Sequence, residues 1–301
     1  MKQHWRKCVI VTFLCVAAAG PLLSEADTLA RIRGSSTLKL GYLPNAAPFT
    51  ANTDGKPAGY MIDVCERLAL WIKAQTRLSE MAVSYVEIPQ GTGVDEVRQG
   101  KIDLMCTPSV QTLSTRKWVS YSVPVFTAGL TALVRKDASS DLLRVLKGEV
   151  AHQGPTWRAT INRGLSNHRY VVMAGGVTEG WIHERIKSLG VIATVLTVGS
   201  YAEGVDLVAQ KTADAFFADR MVLLNYAAKD NAADEIQVLD VLYDIAPVAL
   251  PVDRQDEDFR LMVDGGLSDL YRSGDVYRLY AHYFGQPNEA SLMLFKLYTL
   301  P

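Results

Sequence analysis

Long apolar runs, paired metal ligands and blocks of one charge are all missing from most of this chain, and each absence removes a class of function. The 301 residues hold four cysteines and five histidines. The histidines (His4, His152, His168, His183, His282) show no metal-ligand spacing, and no two cysteines form a CxxC pair, so no metal centre is expected. No GxSxG elbow, no Walker loop and no GxGxxG after a strand occurs, which leaves no familiar catalytic motif and no cofactor site to expect. The formal net charge is −1 and no basic run is present, so a nucleic-acid partner is not expected. Beyond the N-terminus, no stretch reaches the 18 or so apolar residues that a membrane-spanning helix needs.

The N-terminus is different in kind. Lys2, Arg6 and Lys7 make a positive start, and Cys8 to Ala19 form an uncharged apolar stretch of signal-peptide length. Residues 1–26 are therefore read as a secretory leader that sends the protein to the periplasm. Cleavage is favoured after Ala26 over Ala19, and the other reading is an uncleaved membrane anchor. Cys15 does not mark a lipoprotein, because Leu14 stands where a small residue is required. Removing the leader takes away Lys2, Arg6, Lys7 and Glu25, which moves the net charge to roughly −3. It also leaves Cys65 and Cys106 alone in an oxidising compartment, which suggests one disulfide; two separate buried thiols are the other reading.

Short apolar strands alternate with helical segments along the rest of the chain, the pattern of parallel βαβ units in an α/β protein. Strands are predicted over 38–43, 82–88 and 102–106, with helices over 60–74 and 92–100 between them. The style repeats with strands at 170–174, 191–198 and 213–217 and helices at 178–189, 201–210 and 220–228. Two α/β halves of this size predict two lobes rather than one wide sheet. Extended segments at 126–135 and 243–252 fall where the chain would cross between lobes. Residues 258–284 read as two helices broken at Arg272-Ser273-Gly274-Asp275, and 147–169 as a long loop.

Two places carry recognition chemistry. Gly175-Gly176-Val177-Thr178-Glu179 joins a strand to a helix start, where backbone N–H groups and the helix dipole favour an anion; a simple glycine turn is the other reading. Asp219 lies just past a buried strand, facing the crevice where α/β sheets bind ligands, and is equally suited to cap the next helix. Asp214, at the strand's other end, reads as a solvated turn residue.

Several segments in order then resemble the family 3 bacterial extracellular solute-binding proteins. They are LKLGYLPNAAPFT (38–50), GKPAGYMIDVCERLA (55–69), GKIDLMCTPSVQTLSTRKWVSYSVPVF (100–126), DAFFADR (214–220) and LYRSGDVYRLYAHYFG (270–285). The resemblance implies a type II periplasmic-binding-protein fold: two α/β lobes, a central cleft and two hinge crossings. Lobe 1 would hold 27–128 plus 248–301, and lobe 2 would hold 129–247. It implies a monomer that binds an amino acid or organic acid and hands it to an ABC transporter permease. Cys65 would lie at a helix start and Cys106 at the end of a neighbouring strand, within the span of about 4.4–6.8 Å between Cα atoms that a bridge allows.

For the site, the resemblance implies that Phe49 or Tyr42, together with Tyr60, covers the apolar part of the ligand. Thr107, Ser109 and Thr112 would bind its carboxylate, with backbone groups at Gly175 and Thr178, and Asp219 would pair with its ammonium. The sequence departs from the family pattern at three points. The arginine expected to grip the carboxylate is replaced by Thr115, with Arg116 one residue late. Gly-Thr-Thr becomes Gly175-Gly176-Val177, and a polar pair becomes Ser200-Tyr201. Two other functions fit the same fold: an enzyme resembling cyclohexadienyl dehydratase, using Asp219 with Arg116 or Lys117, and a partner of a periplasmic sensor or dehydrogenase.

Overall fold

The computed structural model describes residues 27–149 and 163–301. The expected leader and most of the long loop lie outside the described residues. The chain begins with helix α1 (Thr28–Ser35), capped by the Asp27 side chain, which accepts from Ala30 N at 2.8 Å. Strand β1 (Thr37–Tyr42) follows, then a small antiparallel sheet of β2 (Asn45–Ala46), β3 (Thr50–Thr53) and β4 (Lys56–Ala58). Helix α2 (Tyr60–Thr76) leads to β5 (Ala82–Glu87), and α3 (Gly93–Arg98) leads to β6 (Leu104–Met105). These three long-range strands form a parallel sheet in the order β5-β1-β6. The βαβ reading of 38–106 is what the chain does, although only Leu104 and Met105 of the strand expected over 102–106 pair in the ladder.

After β7 (Ser109–Val110) and β8 (Val119–Tyr121), the long strand β9 (Phe126–Arg135) leaves the first body and enters the second. Phe126, at its start, sits in the core built around β1 and α2, whereas Leu133 and Val134 sit in the cores of the second body. There follow α4 (Ser140–Leu146), β10 (Arg169–Met173), α5 (Val177–Leu189), β11 (Thr194–Val198), α6 (Tyr201–Ala209), β12 (Ala215–Asp219) and α7 (Arg220–Ala227). Strands β10, β11 and β12 are parallel, and β12 pairs antiparallel with β9. Side-chain alternation then divides the lobe's core between two faces of one sheet. Val171, Met173 and Phe216 pack with α6, while Tyr170, Val172 and Phe217 pack with Ile182 of α5.

The return path is β13 (Ile236–Val238), then β14 (Asp244–Ala249), which runs antiparallel beside β9 with Val248 opposite Phe126. The extended segment expected over 243–252 is two strands, because the chain changes partner at Leu250: β14 pairs with β9 and β7, and β15 (Pro251–Asp253) pairs with β8. Helices α8 (Glu257–Ser273) and α9 (Asp275–Phe284) are separated at Gly274, whose φ of 79° only glycine adopts easily, and α10 (Glu289–Tyr298) closes the chain. Helices α1, α4 and α10, and the β2–β4 sheet, are additions to the sequence reading. Each is short and borrows its stability from contacts across the chain, a signal that local periodicity does not carry.

The first core centres on a ring cluster. Phe49 lies 4.8 Å from Phe126 and 5.2 Å from Phe284, and Tyr60 lies 5.0 Å from Phe284, all between ring centroids. Cys65 and Cys106 form the disulfide, with Cα atoms 6.1 Å apart, tying α2 to the end of β6. Buried Asp103 takes the Lys39 N–H at 2.9 Å and pairs with Arg31, fastening α1 and β1 to the loop before β6.

Candidate functional site

Six parallel strands end at one place. The residues that follow β1, β5 and β6 face those that follow β10, β11 and β12, and a cavity of about 260 Å³ lies between them. Open α/β sheets bind ligands at such carboxyl ends because the helices and loops diverge there. Gln90, Met105 and Ser109 line it from the first body, and Gly175, Thr178, Tyr201 and Asp219 from the second. A second compartment of about 640 Å³ opens beside it, sharing Val110, Gly176, Thr178 and Asp219 and adding Thr112, Glu184 and Asp244.

The walls meet at two glycines. A Cβ placed on Gly91 would lie 3.7 Å from the Gly175 Cα, and both residues have positive φ, 81° and 70°. Two hydrogen bonds join the bodies nearby: Tyr226 donates its hydroxyl to Asn45 O at 2.6 Å, and Asn225 Nδ2 donates to Ala47 O at 3.3 Å. The two bodies are therefore in direct contact beside the cleft.

Asp219 is both a cap and a wall. Its Oδ1 accepts from Met221 N at 2.9 Å and Val222 N at 3.4 Å at the start of α7, and its Oδ2 accepts from Gly129 N in β9 at 3.0 Å. Burial raises its pKa to about 6, against the three backbone N–H groups, which pull it down. A carboxyl so poised is ionised at neutral pH and protonates as the pH falls through about 6, and a positive partner would hold it ionised to lower pH.

The other expected contacts divide. Phe49, Ser109, Gly175 and Thr178 line the inner cavity, and Thr112 lines the outer compartment. Phe49 does so while almost wholly packed in the ring cluster. Tyr42, Tyr60 and Thr107 do not line either compartment, contrary to the roles the resemblance implied. Tyr42 turns its hydroxyl to Glu87 at 2.8 Å, Tyr60 is fully buried with its hydroxyl on Val125 O at 3.0 Å, and Thr107 pairs with Thr50 at 3.2 Å. In each case the polar atom meets a partner inside lobe 1, so the side chain belongs to the packing. Arg116 points to solvent and donates to Gln111 Oε1 at 3.3 Å; neither it nor Lys117 lines the cavity.

Thr115, at the position of the missing arginine, does line the cavity. Its hydroxyl is engaged with Thr112 Oγ1 at 2.9 Å and with Tyr121, which donates at 2.8 Å. At the start of α5, Gly175 N donates to Glu179 Oε2 at 2.8 Å, so one N–H group of the expected anion site is taken by the chain's own carboxylate. Asp214 takes Arg169 N at 2.7 Å, a structural bond at the far end of β12. Gln90 and Tyr201 were not picked out as contacts. Gln90 Oε1 is buried without a partner, and the Tyr201 ring lies 5.7 Å from Tyr226. The signal for Gln90 was its place in Pro89-Gln90-Gly91, directly after a parallel strand.

The sequence profile of the bacterial extracellular solute-binding proteins, family 3, matches residues 38–286. The chain belongs to that family. Among its relatives, an L-glutamate/L-aspartate-binding protein of Pseudomonas aeruginosa is 24% identical over 273 residues, covering 89% of this chain and 84% of the relative. Among solved structures, a Streptococcus pneumoniae ABC uptake transporter substrate-binding protein with bound histidine superposes with a TM-score of 0.70 at 16% identity, covering 86% of this chain and 97% of the other. An ancestral amino acid-binding protein, a precursor of cyclohexadienyl dehydratase, gives 0.68 at 23% identity, with 86% and 100% covered. The fold is thus the type II solute-binding fold of two α/β lobes about a cleft. The disulfide is present, and family membership makes this an extracellular or periplasmic type of binding protein.

Proposed function

We infer that this family member captures a small polar metabolite in the cleft outside the cytoplasmic membrane and delivers it to an ABC transporter permease. The carrying observation is the cavity at the ends of six parallel strands, contributed by both bodies, with Asp219 at its edge. Amino acids are the first ligand class to examine, because a relative is named for glutamate and aspartate and a solved structure of the same fold holds bound histidine. Lobes of residues 27–128 plus 248–301 and 129–247 would hinge at β9 and β14, acting as a monomer. Residues 1–26 serve as the leader that places it in the periplasm.

Binding is preferred to catalysis because the residues suggested for acid–base work are apart: Asp219 lines the cleft, whereas Arg116 faces solvent. The deciding experiment is native mass spectrometry of the protein as purified from its own periplasm, with a thermal-shift screen of amino acids, amines and organic acids. A co-purifying small molecule that also raises the melting temperature is expected. No shift with any compound, or turnover of prephenate or arogenate, would count against the capture role.

A further inference from the structure

Among the described residues, the cleft lining carries charge of one sign. Among the described residues that line its two compartments, the ionisable acids are Asp219, Glu184 and Asp244, and none is Lys, Arg or His. A ligand carboxylate entering this space would be desolvated without a cationic partner, an arrangement that proteins avoid because the lost hydration is not restored. Neutral donors remain, the Thr178 hydroxyl at both compartments among them, but none carries the positive charge that would offset a carboxylate's lost hydration. The Thr115 hydroxyl is tied to Thr112 and Tyr121, and the Ser109 hydroxyl donates within its own loop to Thr107 O at 3.2 Å. At the α5 N-terminus, the Glu179 side chain accepts the Gly175 N–H and adds a negative charge next to the wall that Gly175 and Thr178 form.

Acceptors are better supplied. Asp219 holds a carboxylate at the inner wall, and Gln90 Oε1 is a buried acceptor without a partner. Around them Met105, Val110, Met173 and Val177 make an apolar lining. We propose that the cleft takes an organic amine cation with an uncharged, largely apolar body and selects against ligands that carry a free carboxylate. The inference rests on the capture role and narrows its ligand class. It separates this chain from the glutamate/aspartate-binding relative, since an acidic amino acid would bring two carboxylates into an acid-lined space.

The test is isothermal titration with pairs that differ only by the carboxylate: phenethylamine and phenylalanine, isoamylamine and leucine, cadaverine and lysine, with glutamate as the acidic probe. At least one amine is expected to bind at least about tenfold more tightly than its amino acid, with glutamate silent. The Thr115→Arg variant supplies a guanidinium at the cavity wall and is expected to move the preference toward the amino acid by about tenfold or more. Asp219→Asn keeps one oxygen to cap Met221 and Val222, gives up the acceptor for Gly129 N, and is expected to weaken amine binding at least about tenfold with its circular dichroism unchanged. An amino acid that binds the parent protein as tightly as its amine, or any binding of glutamate, overturns the ligand class and leaves the capture role standing. Silence across every amine, amino acid and organic acid overturns both.

Discussion

At the residue scale, Asp219 combines two duties that the sequence offered as alternatives. It caps α7 and it lines the cleft, because the first turn of a helix that follows a parallel strand lies at the sheet's ligand-binding edge. Its pKa of about 6 sets a pH dependence. The folded value stands above the ordinary 3.8, so the native state binds more protons than the unfolded chain between those two values, and this group makes stability fall as pH rises through that window. Above it the carboxylate is charged in both states. Glu184 and Asp244 in the outer compartment and Tyr121 and Tyr201 in the inner one are the other titratable groups that line the cleft with it among the described residues. An amine ligand pairs with the ionised form, so affinity should weaken about tenfold between pH 7 and pH 5, and the residual affinity of Asp219→Asn should stay flat. Titration calorimetry across that range checks both curves.

At the element scale, helix α2 shows how much of the scaffold follows from local chemistry. Its start is fixed by Gly59, where φ is 123° and a Cβ would lie 2.4 Å from Phe49 O, and its apolar spacing fills the first core. The helix expected from Tyr60 is found from Tyr60 to Thr76, and β1, β5, α5, α6 and α7 lie within a few residues of their expected spans. What periodicity could not give was partner choice, as at Leu250, where one extended run divides between two sheets. The disulfide joins α2 to β6 across 41 residues. Replacing both cysteines with serine should lower the unfolding free energy by about 2–4 kcal/mol in urea titrations, mainly by freeing the unfolded chain. The cleft residues should keep their ligand preference, because neither sulfur lines the cavity.

At the scale of the whole molecule, closure is held by few polar contacts. Tyr226 of α7 reaches across to Asn45 O, and β9 with β14 forms the paired connection between the bodies. Hinge closure balances such bonds against exposure of the open cleft, so removing one should shift the populations measurably. Tyr226→Phe removes a hydroxyl bond worth about 1 kcal/mol, which predicts up to about fivefold weaker ligand affinity. Small-angle scattering of the empty variant should show a larger radius of gyration than the parent, with the two converging when ligand is saturating.

The α/β alternation, the glycine and proline punctuation and the ordered motifs were enough to predict two lobes, their crossings and the family. Those features are local, and strands, turns and caps are written in adjacent residues. The site was less legible. Asp219, Ser109, Gly175 and Thr178 could be placed at strand ends from sequence, but whether Tyr42 and Tyr60 faced the cleft or the core depended on packing by rings distant in sequence, Tyr85 on Tyr42 and Phe284 on Tyr60. Thr115 was visible as a departure, yet only the folded arrangement brings it together with Asp219, Glu184 and Asp244 in a cleft where no described residue is cationic. Charge balance in a cavity is a sum over loops far apart in sequence, so the tertiary structure alone could decide it.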